Sequence, residues 1–208
     1  WEPVFGSFFF GENVRSSIFV MGADKSWPLK PLISHFCNLK IKLGTESDYI
    51  KVFQPDIGDD VMLEDLTSEE LVSLNIEART WEDAVRKSAE PLKKAGKIKQ
   101  SYIERMIENI KTAGPYIVIS PHVALPHAHP DSDVMENAIG IATLKTPIRF
   151  GNEANDPVKY VFCICATKQE RHLSALADLA KLLDEPSFYR ILDEATSPGE
   201  ILHFIKKF

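Results

Sequence analysis

Residues 114–134, GPYIVISPHVALPHAHPDSDV, combine an apolar run with a segment rich in proline and histidine. Residues 116–119 (YIVI) are aromatic and β-branched, which predicts a buried strand. The next eleven residues, 120–130, contain three prolines and three histidines. Prolines spaced this closely exclude a regular helix, because each removes a backbone donor and fixes its own φ angle. The stretch therefore predicts a strand followed by a stiff, irregular loop that presents histidines.

Two amphipathic helices are predicted upstream of this stretch. The first begins after Thr80, a residue type that caps helix N-termini, and Pro91 is expected to kink or loosen its end. Ser101 and Glu104 have the spacing of a capping box, which predicts the start of the second helix. That helix is expected to end before Gly114.

Two strands and two helices are predicted downstream. Apolar runs favour strands over residues 138–144 and 158–166. A helix is expected over residues 170–184, ended by Pro186, and a capping box at residues 197–200 begins the last helix. Helices that alternate with strands make this an α/β domain.

The overall composition narrows the class of protein. Hydrophobic residues make up 44% of the 208 residues, which is ordinary for a globular protein. The net charge of −6 argues against a nucleic-acid binder. No apolar run is long enough to cross a bilayer, so we expect no membrane insertion. The N-terminus lacks a signal-peptide pattern, and we expect a cytoplasmic protein. A start at Trp1 instead of Met suggests excision from a longer chain.

The three cysteines do not have the spacing of a metal or redox motif. Cys163 and Cys165 alternate along an apolar run and would share one face of a strand. Together with Cys37 they make an odd number of cysteines, which does not suggest a disulfide framework. We therefore interpret them as small buried hydrophobic residues of a reducing compartment.

The chain divides near residue 58. Residues 54–60 are acidic and rich in turn-forming types, which is typical of a boundary. Residues 1–58 carry no assignable motif and read as a small β-α-β piece. Residues 59–208 are predicted to form one domain.

The three clustered histidines allow three interpretations. They are solvated loop residues, or His122, His127 and His129 bind a metal with Asp131 or His172, or one accepts a phosphoryl group. The spacing HxxxxHxH matches no standard zinc motif, so we predict no metal and no cofactor. Neutral imidazole is nucleophilic and titrates near physiological pH, which suits covalent phosphoryl transfer.

A phosphoryl-accepting histidine needs a rigidly presented ring and donors for the phosphoryl oxygens. Pro126 stiffens the approach to His127. His172 is predicted to open a helix, where the positive dipole end favours an anion. The spacing alone does not bring His172 to His127.

Residues 114–134 resemble the active-site segment of type-2 enzyme IIA domains of the bacterial sugar phosphotransferase system, which has the pattern G-I-A-[LIV]-P-H-[GA]. The resemblance implies that His127 is the phosphoryl acceptor and forms a tele-phosphohistidine intermediate. Residues 167–192 resemble the second conserved stretch of the family and imply that His172 stabilises the phosphate. Residues 80–118 and 144–151 also match in order, so about 150 residues carry the resemblance.

The resemblance implies a three-layer α/β sandwich with a central mixed β-sheet flanked by helices, the fold of mannitol-type enzyme IIA. It also implies a phosphocarrier that accepts phosphate from HPr on His127 and passes it to an enzyme IIB partner for sugar uptake. The alternative is a phosphorylatable regulatory domain of a transcriptional regulator. The sequence leaves a homodimer open and does not identify the sugar.

The chain departs from the family pattern near the active segment. Pro121 replaces the glutamate of mannitol-type members, His122 replaces glycine or serine, and His129 replaces the arginine of ascorbate-like members.

Both partners must reach the same histidine, so the surface around it is expected to be exposed and moderately apolar. Candidates for that surface are Val123, Leu125 and Ala128, with the hydrophobic core as the alternative location.

Overall fold

The structure, a computed structural model, describes residues 63–168 and 179–208. Two short 3₁₀ helices, Leu63–Leu66 and Glu69–Leu71, precede the first strand, and residues 179–183 are helical. The strands are β1 (Val72–Ile76), β2 (Val118–Ser120), β3 (Val123–Ala124), β4 (Ala138–Ile148) and β5 (Val158–Cys165). The helices are α1 (Trp81–Lys94), α2 (Gln100–Ala113), α3 (Pro186–Glu194) and α4 (Pro198–Ile205). Residues 1–58 lie outside the described residues, so the boundary near residue 58 stays a prediction.

The five strands form one mixed sheet in the order β1-β4-β5-β3-β2. β4 and β5 run antiparallel, while β1 runs parallel to β4 and β3 runs parallel to β5. β2 closes the far edge antiparallel to β3. The long central pair β4–β5 is therefore the frame on which the shorter strands are aligned.

Apolar side chains cover both faces of this sheet. Along β4 and β5, Ala142, Val161 and Cys163 belong to the core beneath α1 and α2. The alternate residues Ile141 and Phe162 face a second core, which contains residues of α3, α4 and the 3₁₀ helices. A strand that is buried on both faces reads as a continuous apolar run. The predicted three-layer sandwich with a central mixed sheet is confirmed.

Cys163 and Cys165 are buried, reduced and on the same face of β5, as predicted. Burial raises the pKa of both thiols, and it raises that of Cys165 to about 12. Cys37 lies outside the described residues.

These two thiols are expected to be inert in the native protein. In a Cys37→Ser background at about pH 8, a thiol reagent should modify Cys163 and Cys165 at least about 100-fold more slowly than in urea, because the reactive thiolate is disfavoured by burial. Absorbance of the released chromophore gives both rates. Equal rates in native and unfolded protein would contradict the buried location.

Local capping explains where α1 begins but not where α2 begins. Thr80 accepts a hydrogen bond from the backbone N–H of Asp83 at 3.2 Å, which confirms the predicted cap of α1. Pro91 lies in the last turn of α1, which continues to Lys94. The predicted capping box at Ser101 is wrong, because Ser101 lies inside the first turn of α2. Its hydroxyl instead donates to Asp133, 32 residues away.

Four elements differ from the sequence predictions in extent or existence. β4 continues to Ile148, four residues beyond the predicted end at residue 144, and β2 covers residues 118–120 instead of 116–119. The two-residue strand β3 was not predicted. Helix α3 was not predicted either, because Pro186 can end one helix and, as here, also occupy the first turn of the next one.

Within residues 63–168 and 179–208, no helix has both the length and the apolar character needed to cross a bilayer.

Candidate functional site

His127 follows β3, and the two residues directly before it are held by backbone hydrogen bonds. The N–H of Leu125 donates to the carbonyl of Ile117 at 2.8 Å, and the carbonyl of Pro126 accepts from the N–H of Ile164 at 3.1 Å. The predicted stiff approach to this histidine therefore results from pairing with neighbouring backbone as well as from Pro126. His127 is only 2% exposed.

The imidazole of His127 is oriented by its own backbone. Its Nδ1 lies 2.6 Å from the carbonyl oxygen of Leu125. A carbonyl oxygen only accepts hydrogen bonds, so Nδ1 must carry the proton and donate it. In the neutral ring this leaves the nucleophilic lone pair on Nε2. The ring of Tyr116 packs edge-on against the imidazole, with centroids 5.6 Å apart.

Tyr102 on α2 fixes the residue that comes directly after His127. Its buried hydroxyl accepts from the N–H of Ala128 at 3.1 Å and donates to the carbonyl of Ile164 at 2.8 Å. Burial raises the pKa of the Tyr102 hydroxyl above its ordinary value. The sequence does not predict this role, since the apolar face of a helix gives no signal for a tyrosine hydroxyl that pairs with a loop.

Removing this hydroxyl is expected to destabilise the protein. Tyr102→Phe leaves the buried N–H of Ala128 and carbonyl of Ile164 without their tyrosine partner, at a cost of about 1–3 kcal/mol. Urea unfolding followed by circular dichroism measures the change in free energy. A variant as stable as the parent protein would contradict the assigned hydrogen bonds.

Arg105, one helical turn after Tyr102, contacts the same loop. Its Nε donates to Oδ2 of Asp133 at 3.0 Å, its Nη2 donates to Oδ1 of the same carboxylate, and its Nη1 donates to the carbonyl of His129 at 3.1 Å. The side chain of Asp133 is 9% exposed. No local sequence pattern predicts this pair, whose members are 28 residues apart.

The other two clustered histidines have separate surroundings. His122 adopts a left-handed backbone conformation with φ of 69°, and its Nδ1 lies 2.7 Å from the carbonyl of Pro157, to which it donates. Its backbone N–H donates to Asn155, so it fastens the β2–β3 turn to the loop before β5. The side chain of His129 is exposed. This positive φ accounts for a glycine at the position in relatives, since glycine adopts positive φ at no steric cost.

Among residues 63–168 and 179–208, no three His, Cys, Asp or Glu side chains are grouped closely enough to hold a metal ion. His172 lies outside the described residues, so its predicted approach to His127 stays a prediction.

The predicted docking surface is wrong for the residues assigned to it. Val123, Leu125 and Ala128 are 0%, 2% and 3% exposed, respectively. β3 lies between β2 and β5 in the sheet, so its side chains and those just after it enter the two cores. The core alternative therefore holds for all three.

The fold and the histidine segment together place this chain in a known class. Residues 65–208 match the family described as the phosphoenolpyruvate-dependent sugar phosphotransferase system, EIIA 2, and the chain belongs to this family. It is therefore a phosphotransferase component, as the resemblance implied.

Individual relatives agree with this assignment. The putative phosphotransferase IIA component SgcA of Escherichia coli is 37% identical over 128 residues, which are 62% of this chain and 90% of the relative. The ascorbate-specific PTS system EIIA component of Escherichia coli is 27% identical over 143 residues, 68% of this chain and 93% of the relative. The solved complex of enzyme IIAMTL and phosphorylated enzyme IIBMTL from Escherichia coli matches with a TM-score of 0.61 and 25% identity, over 68% of this chain and 98% of the matched chain.

Proposed function

We propose that this chain is a cytoplasmic phosphocarrier that takes a phosphoryl group from HPr onto Nε2 of His127 and passes it to an enzyme IIB partner. Membership of the enzyme IIA family supports the transfer role. The observation that carries the atomic assignment is the 2.6 Å contact between Nδ1 of His127 and the carbonyl of Leu125. This contact keeps the proton on Nδ1 and the lone pair on Nε2.

The same contact assists the chemistry. When Nε2 attacks phosphorus, the N–P bond forms as the bond to the donor breaks, and positive charge develops on the imidazole. The carbonyl oxygen of Leu125 faces Nδ1–H and stabilises that charge without reorganisation, because the backbone is already fixed by its bonds to Ile117 and Ile164. Transfer onward reverses these bond changes and restores the neutral ring.

Protein-to-protein transfer also requires access to the ring. Because His127 is 2% exposed, the encounter with each partner must uncover Nε2. Enzyme IIB is proposed as the acceptor because the matched mannitol-specific enzyme IIA is solved in complex with phosphorylated enzyme IIB.

His172 is proposed to stabilise the transferred phosphate, as the family resemblance implies. A donor beside the phosphoryl oxygens lowers the energy of the transition state, so His172→Ala is expected to slow labelling of His127 by about 100-fold without removing it.

The test is a reconstituted relay. The full chain is incubated with labelled phosphoenolpyruvate, enzyme I and HPr, and acid-labile phosphate is measured before and after candidate enzyme IIB proteins are added. We expect the chain to acquire label and to lose it to one enzyme IIB. Absence of label on folded protein would refute the phosphocarrier function.

The relay also separates the two functions that the sequence left open. The family match begins at residue 65, so an N-terminal portion of the chain lies outside it, as a regulator with an additional segment would require. Label that is acquired but retained in the presence of every enzyme IIB would favour the phosphorylatable regulatory domain.

A further inference from the structure

One face of helix α2 holds the backbone that follows His127. Tyr102 binds the N–H of Ala128, and Arg105 binds the carbonyl of His129 and the carboxylate of Asp133. The two side chains are also in contact with each other, since the Arg105 guanidinium carbon lies 5.3 Å from the centre of the Tyr102 ring. The first two residues after the histidine are therefore tied to a rigid helix.

The Arg105 contact has the geometry of a fixed fork. Two of its nitrogens bind the two oxygens of one carboxylate, which sets the plane of the guanidinium, and the remaining nitrogen then reaches the His129 carbonyl. Asp133 is itself held from two sides, by the hydroxyl of Ser101 and by the N–H of Lys99 bonded to its carbonyl. This arrangement leaves the loop little freedom to move relative to α2.

We infer that Arg105 is a positioning residue for phosphoryl transfer at His127, acting through the loop from Ala128 to Asp133. The inference rests on the proposed function. Phosphoryl transfer depends on an in-line approach, and a displacement of about 1 Å at the reacting atom costs up to about 100-fold in rate. Before His127 in the chain, the carbonyl of Leu125 orients the imidazole ring. After His127, Arg105 fixes the backbone at His129.

The protein contains a matched control for this contact. Arg86 on α1 binds Glu104 on α2 through its Nε and Nη2, so it too forms an arginine–carboxylate pair that involves α2. The side chains of Arg86 and Glu104 are about half exposed, at 46% and 49%. This pair joins α1 to α2, whereas the Arg105 pair joins α2 to the histidine loop. Substitution of Arg86 tests for general effects of losing such a pair.

The experiment compares the rate of labelling by phosphorylated HPr in the full chain and in variants Arg105→Gln, Arg105→Lys, Asp133→Asn, the double variant Arg105→Gln/Asp133→Asn, Arg86→Gln and Arg86→Lys. Thermal unfolding of each variant is recorded in parallel. We expect Arg105→Gln to lower kcat by about tenfold or more with little change in KM, because docking is intact and alignment is lost. The double variant should be no slower than the slower single variant, as for two groups that act as a unit.

Lysine keeps the charge and a similar chain length, but its single ammonium cannot form the fork, so Arg105→Lys should fold and remain slow. The Arg86 variants should label at the parental rate. Parental kcat in folded Arg105→Lys, or an equal loss in Arg86→Lys, would overturn the inference while the parent protein still labels. A parent protein that does not label would instead refute the proposed function itself.

Discussion

Replacing His127 with glutamine is expected to abolish acid-labile phosphorylation of this chain. Glutamine retains an N–H group that can donate to the carbonyl of Leu125, yet its amide nitrogen has no available lone pair for attack on phosphorus. Removing the nucleophile of a covalent mechanism leaves no alternative route, so incorporation should fall by at least about 1,000-fold. The label is measured after incubation with phosphoenolpyruvate, enzyme I and HPr.

Three other histidines serve as matched controls for this substitution. His122, His129 and His203 are exposed, and glutamine at any of them should leave a labelled protein. His129 is the most stringent control, because it is two residues from His127 on the same loop. Full labelling of His127→Gln, or loss of label in His129→Gln alone, would contradict the assignment of His127 as acceptor.

Replacing Phe188 with alanine is expected to give a large loss of stability. Phe188 of α3 is fully buried, and its ring lies 6.1 Å from that of Phe162 on β5 and 5.7 Å from that of Phe204 on α4. The residue thus joins two helices to the central sheet. Truncation of a buried phenylalanine costs about 3–5 kcal/mol, from lost burial and from the remaining cavity.

Urea denaturation measures this loss, and Phe208→Ala is the control. Phe208 is 57% exposed, so its truncation should change the free energy of unfolding by no more than about 0.5 kcal/mol. Equal effects of the two substitutions would show that the second core does not pack through Phe188 as described.

Periodicity predicted most of the fold because most elements are buried on one side or on both. The apolar run of β5 and the Thr80 cap of α1 were both found correctly. Helix α3 was missed because a proline is compatible both with the end of one helix and with the first turn of the next. The capping box at Ser101 failed because a distant carboxylate, Asp133, receives the serine hydroxyl.

The site was predictable only in its chemical identity. The family resemblance assigned His127. The hydrogen bond between its Nδ1 and the carbonyl of Leu125 joins residues only two positions apart, but it depends on the backbone conformation between them. The burial of Val123 depends on sheet order, which a single sequence does not encode in its periodicity. The contacts of Tyr102 and Arg105 join segments more than twenty residues apart, and no local pattern reports such pairs.

Identifying the nitrogen atom that carries the phosphoryl group tests the proposed mechanism most directly. Wild-type protein labelled with ¹⁵N is phosphorylated through the relay, and long-range ¹H–¹⁵N spectra of its histidine rings are recorded before and after. We expect a proton on Nδ1 of unphosphorylated His127 and, after phosphorylation, a single new set of signals with phosphorus on Nε2 of that ring. Phosphorus on Nδ1 of His127, or on any other histidine, would contradict the proposed mechanism.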